Sequence, residues 1–366
     1  MANKTPRLIF LASVKTLFRH LTVAPLVALL WVLLAAPGAL GALQQQGSDT
    51  IPLFASLEPL EFTLLADYGQ LKKDRSQESE EREGRIILTD SGGEAVEVDL
   101  LVKTRGNFRL RKENCSFPPL RINLPEEGLE GTALEGQDKL KLVTHCMDND
   151  RYEQNVVEEY LTYRIYGLFT DLGFQVRLAR VTYTDLNGRD SVERIAFILE
   201  DEEAMAARLN GRVLATEQIT ADPSEFQQQA AGRMYLFQYL IGNEDWSMTH
   251  FHNIQLVRLG LDYFAVPYDF DFSGFVDAPY AEPNPEIGID NVRDRLFFGP
   301  CSDRIDYGAL FAEFNGQREA ILDLIGSETL LIERNIRSAQ RYVEDFYEIL
   351  NNPRQAERLI LRACRK

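Results

Sequence analysis

Two short stretches of this chain concentrate residues able to do chemistry. "GNEDWSMTHFHNIQLV" (Gly242 to Val257) carries Asp245, His250, His252 and Asn253, and "VPYDFDFSG" (Val266 to Gly274) carries Asp269 and Asp271. Asp245 follows a helix-like run, Asn253 opens an alternating strand, and Asp269 ends the next one. A hairpin through "RLGLD" would bring Asn253 and Asp269 to neighbouring strand ends near Asp245. Hard oxygen donors grouped this way suit Mg²⁺ or Mn²⁺, which bind through a few carboxylates plus phosphate oxygens. Phosphoryl transfer needs one acid to orient a hydroxyl, with an amide and an acid to hold metal on the phosphates. His250 and His252 read as loop or packing residues, and Trp246 as core.

The elements that would position these residues change character along the chain. "LEFTLLADY", "EAVEVDLLVKTRG", "FPPLRINL" and "DKLKLVTH" read as strands, with "SGG" at Ser91 to Gly93 as a hairpin turn. "DRYEQNVVEEYLTYRIYGLFTDLG" has helical spacing, with Gly173 as its expected stop. "VRLARVTYTDLNGRDSVERIAFILED" reads as a hairpin about Asn187-Gly188. "EFQQQAAGRMYLFQYLIG" is a second helix, and the tail from Asp306 to Arg365 reads as helical throughout. Glu200 to Glu203 suits a helix N-terminus. The expected fold class is therefore α+β in two lobes, β-rich over 61–203 and helix-rich over 204–366, the second carrying the acids above.

The 366 residues carry a formal charge of −17, which argues against a nucleic-acid partner. Residues 1–42 are different, with Lys4, Arg7, Lys15 and Arg19 and no acid. They precede an apolar run and small residues at Ala39, Gly41 and Ala42. This predicts a signal peptide or an N-terminal membrane anchor, followed by a linker over 43–60, with the folded part outside the cytoplasm. Four cysteines, Cys115, Cys146, Cys301 and Cys364, allow three pairings in an oxidising compartment. Position favours Cys115 with Cys146 and Cys301 with Cys364. No CxxC or Cys/His spacing suggests structural zinc, and no GxSxG elbow suggests an α/β-hydrolase.

"LIGNEDWSMTHFHN" followed by "VPYDFDFSG" resembles the catalytic core of the CotH (spore coat protein H) family of atypical kinases, with related elements in HipA-type and secretory-pathway kinases. "KTRGNF…FPPLRI" and "KLKLVTHCMDNDRYEQNVVEEYLTYRIY" resemble the family's earlier segments, so the likeness spans roughly residues 95 to 275. It implies a bilobal protein-kinase-like fold using ATP with Mg²⁺ or Mn²⁺ to phosphorylate a hydroxyl of a protein or other envelope acceptor. Asp245 would accept the substrate proton, and Asn253, Asp269 and Asp271 would hold metal. "FILED", Phe197 to Asp201, would form the adenine-binding hinge. Lys141 or Arg121 would reach the phosphates, with Glu158 or Glu159 as ion-pair partner, and Arg105 and Asn107 would lie over them. The chain departs from HipA-type motifs in placing Asn253 eight residues after Asp245 rather than five. It also has Phe108 and Arg109 where a serine pair follows "RGN". These departures leave a second expectation, a catalytically inactive kinase-like scaffold or binding protein of the envelope, and a third, a metal-dependent hydrolase using the same acids.

Overall fold

Alternating apolar residues in the first half of the chain bend seven strands into a closed barrel. The computed structural model describes residues 52–365 apart from 189, 216–221 and 284. The first half contains β1 (Leu60–Ala66), α1 (Tyr68–Leu71), β2 (Arg82–Thr89), β3 (Ala95–Thr104), β4 (Leu120–Asn123), β5 (Lys139–Val143), α2 (Asp150–Gly167), β6 (Val176–Asp185) and β7 (Ser191–Leu199). The second contains α3 (Glu202–Arg208), β8 (Arg212–Val213), α4 (Gln228–Ile241), β9 (Ile254–Leu259), β10 (Asp262–Pro267), α5 (Tyr307–Gly326), α6 (Glu333–Leu350) and α7 (Pro353–Ala356). The chain is thus mixed α+β, as its alternation of periods predicts.

Barrel order is β1-β2-β3-β4-β5-β7-β6. The neighbours pair antiparallel except β1 and β6, which close the barrel in parallel with Phe62 opposite Val181. Inward positions are apolar on every strand: Leu64, Ile86, Val102, Ile122, Leu142, Val181 and Ile198 have no exposed surface. Alternation puts Lys103, Arg121 and Lys141 in one cross-strand row on the outer face. β7 serves two cores at once. Ala196 and Ile198 face the barrel interior, whereas Ile195, Phe197 and Leu199 join a second core with α2 and α4. That double burial explains its nearly continuous apolar run.

α4 is buried on all sides from Met234 to Ile241. It stops at Gly242, whose φ of +61° ends the helix in the left-handed conformation. A Cβ there would lie 2.0 Å from the Tyr342 hydroxyl, so glycine is required twice over. β9 and β10 form the expected hairpin, with Ile254 opposite Pro267, and β8 adds to β9. The turns expected at Ser91-Gly93 and Asn187-Gly188 join β2 to β3 and β6 to β7.

Three expectations need adjustment. α2 ends at Gly167 rather than near Gly173, because Thr170 Oγ1 accepts from the Leu172 backbone N–H (3.1 Å) and starts a side-chain turn. The C-terminal tail is interrupted between α5 and α6, and again at Asn352, which caps α7. The expected linker enters the fold by Leu53, which is buried. The carbonyls of Leu53 and Glu58 accept hydrogen bonds from Arg177 at 3.0 and 2.9 Å.

Disulfides join Cys115 to Cys146 and Cys301 to Cys364, the pairing that position favours, and no cysteine is free among the described residues. Two such bonds are compatible with an oxidising, extracytoplasmic compartment. The expected signal peptide or anchor of residues 1–42 lies outside the described residues. Among those described, no helix is long and apolar enough to cross a membrane. They belong to one compact unit.

Candidate active site

The turn after α4 is organised by Asn243. Its buried amide donates to Gln238 Oε1 (3.0 Å), its side-chain oxygen accepts from the Asp245 N–H (3.1 Å), and its carbonyl accepts from Trp246 Nε1 (3.1 Å). The chain then doubles back. Ser247 and His252 exchange two backbone hydrogen bonds of 3.0 and 3.1 Å. This fold-back absorbs the long spacing and returns Asn253 to Asp245. Asn253 Nδ2 donates to the Asp245 carbonyl (2.7 Å) and to its Oδ2 (3.0 Å), and His252 Nε2 lies 2.8 Å from Asp245 Oδ1. The hydrogen bond to Asp245 raises the pKa of the His252 imidazole above its usual value.

The β9–β10 pairing carries the geometry onward. The Tyr268 N–H donates to the Asn253 carbonyl (3.0 Å), and the next N–H, of Asp269, donates to the Tyr163 hydroxyl on α2 (2.9 Å). Asn253 and Asp269 adopt φ of +52° and +60°. Non-glycine residues in this region are strained, and such strain gathers at functional sites. Asp245, Asn253 and Asp269 line a single cavity of about 240 Å³ with Asp271, Arg105 and Asn107.

The opposite wall is the segment after β3. Arg109 is buried, and its guanidinium meets three acids: Glu159 Oε2 at 3.4 Å, Asp269 Oδ1 at 3.3 Å and Asp271 Oδ2 at 3.2 Å. Tyr280 donates to the same Asp271 oxygen at 2.9 Å. Burial pushes the Glu159 carboxyl up to about 7, with Arg109 opposing, and holds Asp271 well above the ordinary carboxylate range. Arg105 lines the same cavity, half-buried, and its side chain makes no hydrogen bond or ion pair among the described residues. Asn107 is held by a hydrogen bond from Gln77 Nε2.

Asp269 Oδ2 and Asn253 Oδ1 have no hydrogen-bond partner among the described residues and are hard donors on residues that line the cavity. Among the described residues, no group of three or more acidic, His or Cys side chains is arranged to hold a metal ion. The two oxygens fit Mg²⁺ or Mn²⁺ only if a phosphorylated ligand and water complete the shell, which is the usual habit of Mg²⁺.

Other expected residues lie elsewhere. Lys141 pairs with Glu202 and, at 3.9 Å, Asp201; burial lowers its pKa to about 8. Arg121 pairs with Glu81 at 3.0 Å. Neither base pairs with Glu158, which takes amide hydrogen bonds from Asn155 (2.8 Å) and Asn335 (2.9 Å) and is pushed up to about 8 by burial. The base-to-helix ion pair is instead Arg109 with Glu159. Consecutive residues sit about 100° apart on a helix, so Glu158 faces α6 while Glu159 faces Arg109. Asp201 caps α3 as the acidic run suggested. Arg109, His252 and Tyr163 were not anticipated. The first has a visible signal, an arginine between Phe108 and Leu110 in a stretch that becomes buried.

No family model matches this chain, and no curated protein matches it. Among solved structures it is similar to a Helicobacter pylori proinflammatory kinase, CtkA, at 12% identity and a TM-score of 0.36, covering 65% of this chain and 91% of that one. Likeness at that level carries no argument about fold or function.

Proposed function

We propose that the chain is a bilobal, kinase-like phosphotransferase, with the barrel as first lobe and the helix-rich half as second. It would transfer the terminal phosphoryl group of ATP to a hydroxyl of a protein or other envelope acceptor outside the cytoplasm. Asp245 takes the hydroxyl proton as the acceptor oxygen bonds to phosphorus and ADP departs. Its second carboxylate oxygen and main chain are fixed by Asn253, and His252 orients the first. Asp269 and Asn253 would hold a Mg²⁺ or Mn²⁺ ion, which would supply charge neutralisation at the phosphates. Arg105 supplies the cation over the phosphates, with Asn107 beside it, and Val143 and Leu199 offer an apolar wall for a base. Asp271 positions Arg109 instead of binding metal. The observation carrying this reading is the convergence of Asp245, Asn253 and Asp269 from separate segments on one cavity with Arg105, whose side chain forms no ion pair among the described residues.

Titration with ATP and Mn²⁺ tests it first. At a hundredfold excess over Kd, binding should add about 2.7 kcal/mol to stability. Labelled phosphate should then appear on an acceptor or on the protein itself, and both Asp245→Ala and Asp269→Ala should abolish it. Unchanged transfer in the two variants would refute the assignment. Binding without transfer would favour an inactive kinase-like scaffold, a reading supported by Arg109 already occupying one oxygen of Asp269.

A further inference from the structure

A second cavity, of about 420 Å³, lies at one end of the barrel and shares no lining residue with the Asp245 site. Its wall is aromatic. Phe117 stacks on His145 with ring centres 4.8 Å apart, and Tyr183 and Tyr68 lie 4.9 and 5.5 Å from Phe117. Two polar atoms among these rings, His145 Nδ1 and Tyr183 Oη, are buried without a hydrogen-bond partner among the described residues. Leaving such groups unpaired is costly, so each calls for a partner that the described residues do not supply. At the rim, Lys72 Nζ sits 5.4 Å from the Phe117 ring centre with no carboxylate partner among the described residues. Of the three acids that line the cavity, two are committed, and the third, Asp190, is exposed at its rim. Asp148 pairs with Arg194, and Asp185 accepts N–H groups from Tyr68, Gly69 and Asn187. The Cys115–Cys146 disulfide and the Phe117 N–H to Cys146 carbonyl bond (2.8 Å) fix the two segments carrying Phe117 and His145.

We propose that this barrel-end cavity binds a small aromatic carboxylate bearing a second hydrogen-bonding group. The ring lies against Phe117 and Tyr183, the carboxylate meets Lys72, and the second group satisfies Tyr183 or His145. Stacked rings favour a planar partner. The free ammonium favours an anion, because it already holds the cation position over Phe117. The size is that of a small-molecule pocket, and barrel mouths are common places for one.

Calorimetry on the full chain with benzoate, 4-hydroxybenzoate, indole-3-acetate and benzylamine tests this. The expected result is saturable one-to-one binding of 4-hydroxybenzoate, tighter than benzoate and about tenfold weaker in Lys72→Met. Lys72 is exposed, so that variant should fold, and an unchanged melting temperature without ligand would verify it. The proposal falls if neither 4-hydroxybenzoate nor indole-3-acetate saturates. It also falls if benzylamine binds as tightly, if benzoate equals 4-hydroxybenzoate, or if Lys72→Met changes nothing.

Discussion

Replacing Arg109 with methionine removes the one cation that faces Glu159, Asp269 and Asp271 within 3.4 Å. Methionine keeps most of the volume, so the main effect is electrostatic. Glu159 and Asp271 are 3% and 4% exposed and would be left as buried carboxyls with no cation in ion-pair contact among the described residues. Breaking a buried pair in this way typically costs about 3–5 kcal/mol. In a chain of this length that is a fall of roughly 4–7 °C in melting temperature. The loss should depend on pH. Glu159 is pushed up to about 7 in the folded protein, mainly by burial, from an ordinary value near 4.5. The folded state therefore binds more protons than the unfolded one between these values. Stability from this group is present at low pH and is lost as pH rises through about 7. Without Arg109 the carboxyls of Glu159 and Asp271 shift further upward, so Arg109→Met should be milder at pH 5 than at pH 8. Adding Glu159→Gln and Asp271→Asn should recover much of the difference. Melting curves of the parent, Arg109→Met and the triple variant at both pH values provide the measurement. A variant as stable as the parent, or one hurt equally at pH 5 and 8, would refute the reasoning.

Three further outcomes follow from the same geometry. An NMR titration of His252 should give a pKa above 6.5 that returns toward 6.5 in Asp245→Asn, since their hydrogen bond is the leading cause of the shift; an unmoved midpoint would show that the pair does not form in solution. Arg105→Ala should weaken ATP binding by about tenfold or more, as expected for loss of a charge-assisted contact, whereas Lys141→Ala, whose ammonium is engaged by Glu202, should change it less; the reverse order would return the phosphate role to Lys141. Replacing Cys115 and Cys146 together by alanine should cost about 3.7 kcal/mol on the loop-entropy scale, and the Cys301–Cys364 pair about 4.3, from separations of 31 and 63 residues; denaturant midpoints unmoved by either double replacement would contradict it.

What the sequence disclosed was mainly local. The β9–β10 hairpin follows from alternation about "RLGLD", and the end of α4 from Gly242 after an apolar run. The disulfides pair as their positions suggest. Relations between distant segments were hidden. Nothing near Leu60 announces that β1 will lie parallel to β6, because that pairing depends on closing a whole barrel. Choosing between Glu158 and Glu159 required the rotational phase of α2 against its neighbours. Arg109 looked like a departure from a pattern because its acids lie 50 and 160 residues further along. The long gap between Asp245 and Asn253 is absorbed by a fold-back that needs a left-handed Phe251 as well as Asn253; asparagine tolerates that conformation, but nothing about phenylalanine advertises it.

The way the barrel closes imposes an order on its birth. β1 to β5 can pair with their sequence neighbours as they emerge from the ribosome, leaving β1 with one bare edge. That edge is covered only when the β6–β7 hairpin is made and slots between β5 and β1, with Leu60 meeting Ala179. Until then the nascent chain carries an open strand edge of the kind that invites pairing with other chains. Non-local closure of this sort also slows folding. The turn at Asn187-Gly188 is thus a keystone in time as well as in space: substitutions that delay it should show first as poor yield from synthesis, before any loss appears in the finished protein.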